Sequence, residues 1–448
     1  MRKTGLLFFP AFDWAISPTH PEREERLLYT RDQLFEEGIM DLPNIVEYRP
    51  ALCETKDILR AHFCVPNVEA HLTEAHFIAA GSSLVLADAY FNKEVDNAFA
   101  IVRPPGHHAM TVTHGNRGFC NINNESIMVE YIRKKYGLKK IAIIDTDVHH
   151  GDGTQEMFYN DPDVLFISFH QDGRTLYPGT GFVEELGGPI AYGTNINIPL
   201  MPRTTDYGIH YVLEHLIMPI LEDFQPELIV NSAGQDNHFT DPLADMAFSA
   251  QGYAKLNSIL APDIAVLEGG YSVETALPYV NAGIIMAMAG IDYSNLKEPG
   301  FVPGKLTEPP GNKEYLDKII ELQKHNYFTR YEVVSELRKS LGDYKKEYTR
   351  VFYDTDYIHE EQKQQLRICP DCLGFKTIGS TAQQRNGKLY TVFCISIPIY
   401  ACDSCQKLAR EAYKDIIKSG HYDMVYLQDK VTDNYHIYDL AKDGELIF

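Results

Sequence analysis

The sequence predicts an α/β fold, a mostly parallel sheet flanked by helices, followed by a smaller C-terminal module. Three observations predict it. Between residue 1 and about residue 290, short apolar runs alternate with helical patterns, the order that strand–helix–strand units produce. The runs are apolar nearly throughout, as strands covered on both faces are. Past a stretch rich in Pro and Gly the composition changes, and four cysteines arrive as two C-x-x-C pairs.

The first expected strand is Gly5–Phe9, ended by Pro10. Arg2 and Lys3 ahead of GLLFFPAF loosely mimic a secretory leader. The apolar part is short, Asp13 interrupts it and no clean small-residue cleavage site follows, so a buried strand is the better reading. Further strands are expected at Ala98–Val102, Lys140–Asp145, Val164–Phe169, Leu228–Ala233 and Ile264–Leu267, with helices at Asn124–Tyr136 and Thr205–Phe224. This first domain takes residues 1–293. Residues 294–312, SNLKEPGFVPGKLTEPPGN, read as a linker. Residues 313–365 read as helical and charged. Residues 366–448 form the C-terminal module, in which Lys388–Tyr400 holds one or two strands and Cys394 is a core residue.

The 448 residues carry 44% hydrophobic and 23% charged side chains, which suits globular domains. The formal charge of −21 argues against broad nucleic-acid binding, which needs clustered Lys and Arg. A cationic or neutral substrate would suit such a surface. No apolar run is long enough to span a membrane. Cysteines 53, 64, 120 and 394 stand singly, unlike a secreted disulfide framework, so a reducing cytoplasm is expected.

Polar clusters sit at the C-terminal ends of four expected strands, where active sites of parallel sheets gather: RPPGHH, DTDVHHGDG, SAGQD and EGGY. Asp147 and His149, two apart at a strand end, point to one side. A borderline cation such as zinc accepts one carboxylate and one imidazole, and Asp236 is the natural third ligand, leaving an open position. On spacing alone, ordinary polar residues at a strand end fit as well. His107-His108 follows Pro-Pro-Gly on a stiff loop. Two imidazoles serve as base and acid when their pKa values are separated. Asp145 and Asp152 are available to orient them. An isolated pair would otherwise be two surface histidines. The glycines before Tyr271 usually mark only a turn. A mobile loop there would bring a phenol to a developing oxyanion.

Together the motifs resemble the histone deacetylase superfamily, with its arginase–deacetylase fold. The matching strings are HPEREERL at 20–27, RPPGHHA at 103–109, GFCNINN at 118–124, DTDVHHGDGTQEMF at 145–158, YPGTG at 177–181, SAGQDNHFTDPLADM at 232–246 and LEGGY at 267–271. They cover about residues 1–290; HHGDG and RPPGHHA are the specific ones. The resemblance implies a catalytic zinc on Asp147, His149 and Asp236, with Asp145 behind His107 and Asp152 behind His108. It makes Tyr271 the phenol that polarises the carbonyl. Gly118 and Phe119 would line an acyl-lysine channel, with Tyr177 on its other wall. A monovalent cation, K+ or Na+, would use Asp145, Asp147, the carbonyls of His149 and Phe169, and Ser168.

The implied activity is hydrolysis of an acyl group, acetyl by default, from acylated lysine in a peptide or protein, or from a related small amine. Which of His107 and His108 is base and which acid stays open. An acetylpolyamine deacetylase, a catalytically silent acyl-lysine binding protein and a binuclear ureohydrolase are the alternatives, and self-association into a homo-oligomer is compatible with each. Many relatives carry an aromatic residue where this chain has Gln235. Where one branch of polyamine deacetylases has an acidic gatekeeper after an Asp-Pro, this chain has Leu243 after Asp241-Pro242. That difference favours acyl-lysine.

Cys369-Pro-Asp-Cys372 and Cys402-Asp-Ser-Cys405 are spaced as two knuckles of a zinc ribbon. One structural zinc on four thiolates would replace the core that a small module lacks. Redox-active or merely buried cysteines are the alternative.

Overall fold

The computed structural model describes residues 1–384 and 387–448. Its centre is an eight-stranded sheet built from β1 (Thr4–Phe9), β2 (Ile45–Tyr48), β3 (Asn97–Val102), β4 (Ile141–Asp145), β5 (Val164–Gln171), β6 (Asn195–Leu200), β7 (Leu228–Ala233) and β8 (Ile264–Leu267). The strands lie in the order β2-β1-β3-β8-β7-β4-β5-β6, and every pairing is parallel. Alternate residues feed two cores. Phe99, Ile101, Ile144, Leu165 and Ile167 face one side, and Ala98, Ala100, Ile141, Ile143 and Phe166 face the other. That two-sided burial is why the strands read as continuous apolar runs.

Two strands are not legible in the residue pattern. β2 is a short edge strand interrupted by Glu47. β6, NINIPL, contains a proline, which a sheet tolerates at its edge, where one row of N–H groups is unpaired. The helix expected over 205–224 starts at Asp206, after Thr205 caps it through the Tyr207 N–H, and ends at Phe224. A π turn over Leu213–Ile217 interrupts it just before Pro219, which has no N–H to give to the preceding turn.

The stretch 294–311 has no regular structure, and Asn312 already opens a helix, yet the stretch is tied down. Glu298 bonds the His238 ring and the Ala250 N–H, and Glu308 receives the Thr205 hydroxyl. The helix Asn312–Phe328 then returns to the first core through Leu316, Ile319, Ile320 and Tyr327. The expected all-helical segment ends at Ser340. Residues 344–367 are instead a hairpin, β9 (Tyr344–Tyr353) and β10 (Ile358–Arg367), with ten antiparallel pairs. Its inward row on β10 includes Glu360, Gln362 and Gln364. Buried polar residues at every second position hide the two-residue period that apolar residues would reveal.

The hairpin opens a second sheet, continued by β11 (Lys376–Gln383), β12 (Leu389–Ile397), β13 (Met424–Asp429), β14 (Asn434–Asp439) and β15 (Gly444–Ile447), in sequence order. Only β12 and β13 pair in parallel, joined by the helix Asp403–Ser419. Cys394 is buried in β12. The module is thus larger than a ribbon. Ile378, Val392, Cys394, Met424 and Tyr426 share a core with Phe63 and Val112 of the main body. The Tyr426 hydroxyl donates to the Cys64 and Pro66 carbonyls at 3.1 and 3.0 Å. Arg60 pairs with Asp433 at 2.9 Å. No described helix is long and apolar enough to cross a membrane.

Because Tyr327 is fully buried in the main core, Tyr327→Ala should lower unfolding free energy by about 3–5 kcal/mol, read as a shift in the denaturant midpoint. A change below about 1 kcal/mol would show that the helix does not belong to that core.

Candidate active site

The sheet brings β4, β7 and β8 side by side, so their C-terminal ends converge. Asp147 and His149 follow β4, and Asp236 follows β7. One ligand atom from each lies within 4.8 Å of the others, and all three residues are buried. His149 Nδ1 is 3.1 Å from both Asp147 Oδ1 and Asp236 Oδ2. Burial and the Asp147 carboxylate push Asp236 up. Burial opposes a charge on His149, but its hydrogen bonds to Asp147 and Asp236 lift it to about 10. Here its proton offsets two buried carboxylates. A divalent cation would do so more completely, which is the sense in which this donor set fits a metal.

Close approach is built in by glycine. A Cβ on Gly269 would stand 2.2 Å from Asp236 Oδ2 and 2.5 Å from Asp147 Oδ2. The Gly269 N–H instead donates to Asp147 Oδ2 at 2.6 Å.

The tandem histidines lie beside this cluster, 4.1 Å apart by ring centroid. His107 Nδ1 is 3.0 Å from Asp145 Oδ2, and His108 Nδ1 is 2.8 Å from Asp152 Oδ1. Burial opposes the charge of His107, yet Asp147 and Asp145 raise it well above the usual imidazole value. Burial, and then the charge of His107, bring His108 down to about 3. The two rings are therefore pushed in opposite directions. His108 lines the cavity beside His149, whereas His107 does not.

That cavity, about 270 Å³, is lined by His108, Gly118, Phe119, His149, Leu176, Tyr177, Leu243, Tyr271 and Asp354. Gly118, Phe119, Tyr177 and Leu243 thus come together at one channel. Leu176 and Asp354 join them without a sequence signal. Gly118 has φ +52°, and a Cβ there would press into His108 at 2.4 Å. Tyr271 stacks edge-on against Phe119, 5.6 Å between centroids.

Several supporting residues also escaped sequence reasoning. Asp241 accepts from the Tyr271 N–H at 2.7 Å and the Leu243 N–H at 2.9 Å, fixing both channel residues with one carboxylate. Arg26 donates to the Gly270 carbonyl at 2.7 Å and lies over the Tyr271 ring. Glu22 holds both Arg26 and Arg103. HPEREERL therefore braces the Tyr271 loop, a role that only long-range contacts reveal. Gln235 turns inward, where its amide bonds Asn281. Asp145 and Ser168 are register partners on β4 and β5, and Ser168 Oγ bonds His170 Nδ1 at 2.9 Å.

In the C-terminal module Cys369, Cys372, Cys402 and Cys405 meet with their sulfurs within 4.8 Å, and none forms a disulfide. The Gly374 N–H points at Cys372 Sγ, 3.2 Å away. The first pair follows β10 and the second opens the helix Asp403–Ser419. The strands between them belong to the larger sheet.

Comparison with known proteins identifies the family and the fold. The histone deacetylase domain family matches residues 63–287. A probable deacetylase of Archaeoglobus fulgidus is 46% identical over 324 residues, 66% of this chain and 89% of its own length. A histone deacetylase-like amidohydrolase of Pseudomonas aeruginosa is 32% identical over 240 residues, 50% of this chain and 62% of its own. Among solved structures, the HDA15 HD domain superposes with a TM-score of 0.64 at 26% identity, covering 76% of this chain and 99% of that one. The chain is a member of the histone deacetylase family, on the arginase–deacetylase fold.

Metal analysis tests the two clusters. The expected result is about two divalent ions per chain, one for each cluster. Asp236→Ala should lose one and Cys405→Ala the other. Full metal content in either variant would contradict the assignment at that site.

Proposed function

We propose that the protein is a zinc-dependent amidohydrolase that removes an acyl group, acetyl by default, from an acylated primary amine such as acyl-lysine. The observation that carries this reading is that His149, His108 and Tyr271 all line one cavity whose other walls are largely apolar. Phe119, Leu176, Tyr177 and Leu243 offer a sleeve for the methylenes of the amine, and the polar groups stand where the amide would come to rest.

A divalent ion on Asp147, His149 and Asp236 would supply Lewis acidity to the amide carbonyl and acidify a water. The chain's own residues supply the rest. Asp152 engages His108 Nδ1, which leaves Nε2 to take a proton from the attacking water. Arg117 holds Asp152 from behind, 2.7 Å from Nη1 to Oδ1. Negative charge growing on the substrate would favour the protonated ring, so His108 is also placed to return that proton to the leaving amine. His107, bonded through Nδ1 to Asp145 at 3.0 Å, stands beside the reaction and braces that side of the site. The Tyr271 hydroxyl donates to the developing oxyanion.

The same reading places K+ or Na+ near Asp145, Asp147, His149, Phe169 and Ser168, where Ser168 Oγ would exchange His170 for the ion. The four cysteines would hold a structural zinc. Leu243 brings no charge to the channel, which leaves lysine in a peptide acceptable as substrate.

Tyr271→Phe removes the oxyanion donor and spares the ring packed on Phe119. It should lower kcat by about 100- to 1,000-fold, the usual cost of one such donor, with KM little changed. A loss below about threefold would remove the phenol from the mechanism.

A further inference from the structure

The turn between β9 and β10, residues 354–357, projects from the C-terminal module onto the loop that leads into Gly118 and Phe119. Asp356 Oδ2 accepts from the Asn116 N–H at 2.6 Å, and Asp354 Oδ1 from the Gly118 N–H at 2.9 Å. The contact is tight. A Cβ on Gly115 would stand 2.5 Å from Asp356 Oδ2. The hairpin behind the turn is fixed as well, because the Tyr353 hydroxyl donates to the Val112 carbonyl at 2.7 Å and His114 bonds Ser380 at 2.9 Å. The module thus forms part of the channel, and Asp354 is one of its lining residues.

Asp354 is the sole carboxylate among those lining residues. Its Oδ1 is used by Gly118, and no hydrogen-bond donor among the described residues takes Oδ2. Arg117 lies nearby, but its Nη1 and Nη2 are committed to Asp152 at 2.7 and 2.5 Å. Burial lowers the pKa of His20, whose ring packs on Phe119. A half-buried carboxylate held in place beside an apolar sleeve attracts a cation more strongly than a mobile surface acid does.

We propose that Asp354 is a specificity-determining residue, which pairs with an ammonium or guanidinium group that the substrate carries beyond its acylated amine. The inference rests on reading the site as an acyl-amine hydrolase. Two sources offer that chemistry: a second amine of an acylated polyamine, and a basic side chain next to acyl-lysine in a peptide. Asp354 would provide the selection that Leu243 does not.

Asp354→Asn retains an acceptor for the Gly118 N–H and removes the charge. Three substrates separate the possibilities: N8-acetylspermidine, an acetyl-lysine peptide flanked by arginine, and the same peptide flanked by glutamine. The wild type should favour one or both cationic substrates over the neutral one by about tenfold in kcat/KM, an advantage that shrinks with added salt. The variant should lose that advantage, mostly in KM, and treat the neutral peptide within about twofold of wild type. Whichever cationic substrate loses more identifies the source. Asp356→Asn, on the same turn but outside the channel lining, should leave the preference intact.

An equal loss on all three substrates would mean that Asp354 only braces Gly118, and it would overturn the proposal, as would a wild type without cationic preference. Spermidine binding, followed by calorimetry, gives a readout that needs no turnover. Where acetylspermidine is the substrate that loses, spermidine binding should weaken about tenfold in Asp354→Asn, and equal binding would then overturn the inference. Intact, Asp354-dependent spermidine binding in a protein that cleaves no amide would strike only the reading of the site as a hydrolase.

Discussion

Two carboxylates that are wholly shielded from water, Asp147 and Asp236, share one imidazole, and much of the chain is arranged around their charge. Bringing like charges together away from water costs several kcal/mol per ion unless opposite charge or hydrogen bonds compensate. Compensation comes here from backbone donors. The Gly269 N–H serves Asp147, the Val148 N–H serves Asp236 and the His149 N–H serves Asp147. Such donors reach the carboxylates only if β4, β7 and β8 end together. The parallel sheet order and the glycine after Glu268 are thus consequences of the same electrostatic demand.

That demand also separates the tandem histidines. They differ little in sequence context, but His107 stands over the carboxylates and His108 over the channel. Burial, and then the charge of the first ring, disfavour a proton on the second. The Glu22 clamp on Arg26 and Arg103 extends the pattern outward. It is a buried triad whose arms hold the Tyr271 loop and the N-terminal loop at once.

Much of this was legible in the residues. The core strands 228–233 and 264–267 follow from apolar runs bounded by polar clusters, and the clusters themselves name most of the groups that meet at the cavity. Others could not be read. Asp354 is one of 62 acidic residues, and nothing in its neighbourhood distinguishes it before the hairpin is folded. The hairpin is not legible because the middle of its inward row on β10 is Glu360, Gln362 and Gln364, so the helical reading of residues 344–365 meets little apolar alternation to contradict it. Asp241 and Arg26 act through backbone contacts across long sequence separations, which local pattern does not encode.

The buried row of Glu360, Gln362 and Gln364 has a consequence for how this module can vary between proteins. Gln364 donates to Gln362, Gln362 to Glu360, and Glu360 also receives Ser380 of the neighbouring strand. A slip of one residue would turn the whole row outward and strand its partners. The hairpin therefore behaves as a ruler of fixed graduation. Each residue contributes about 3.3 Å, so removing two from each strand would withdraw the tip by about 7 Å. A relative could retain every residue around the two carboxylates and still present an open, uncharged entrance. Strand length, more than the identity of any residue along the strands, would then decide how far the second sheet reaches over the first.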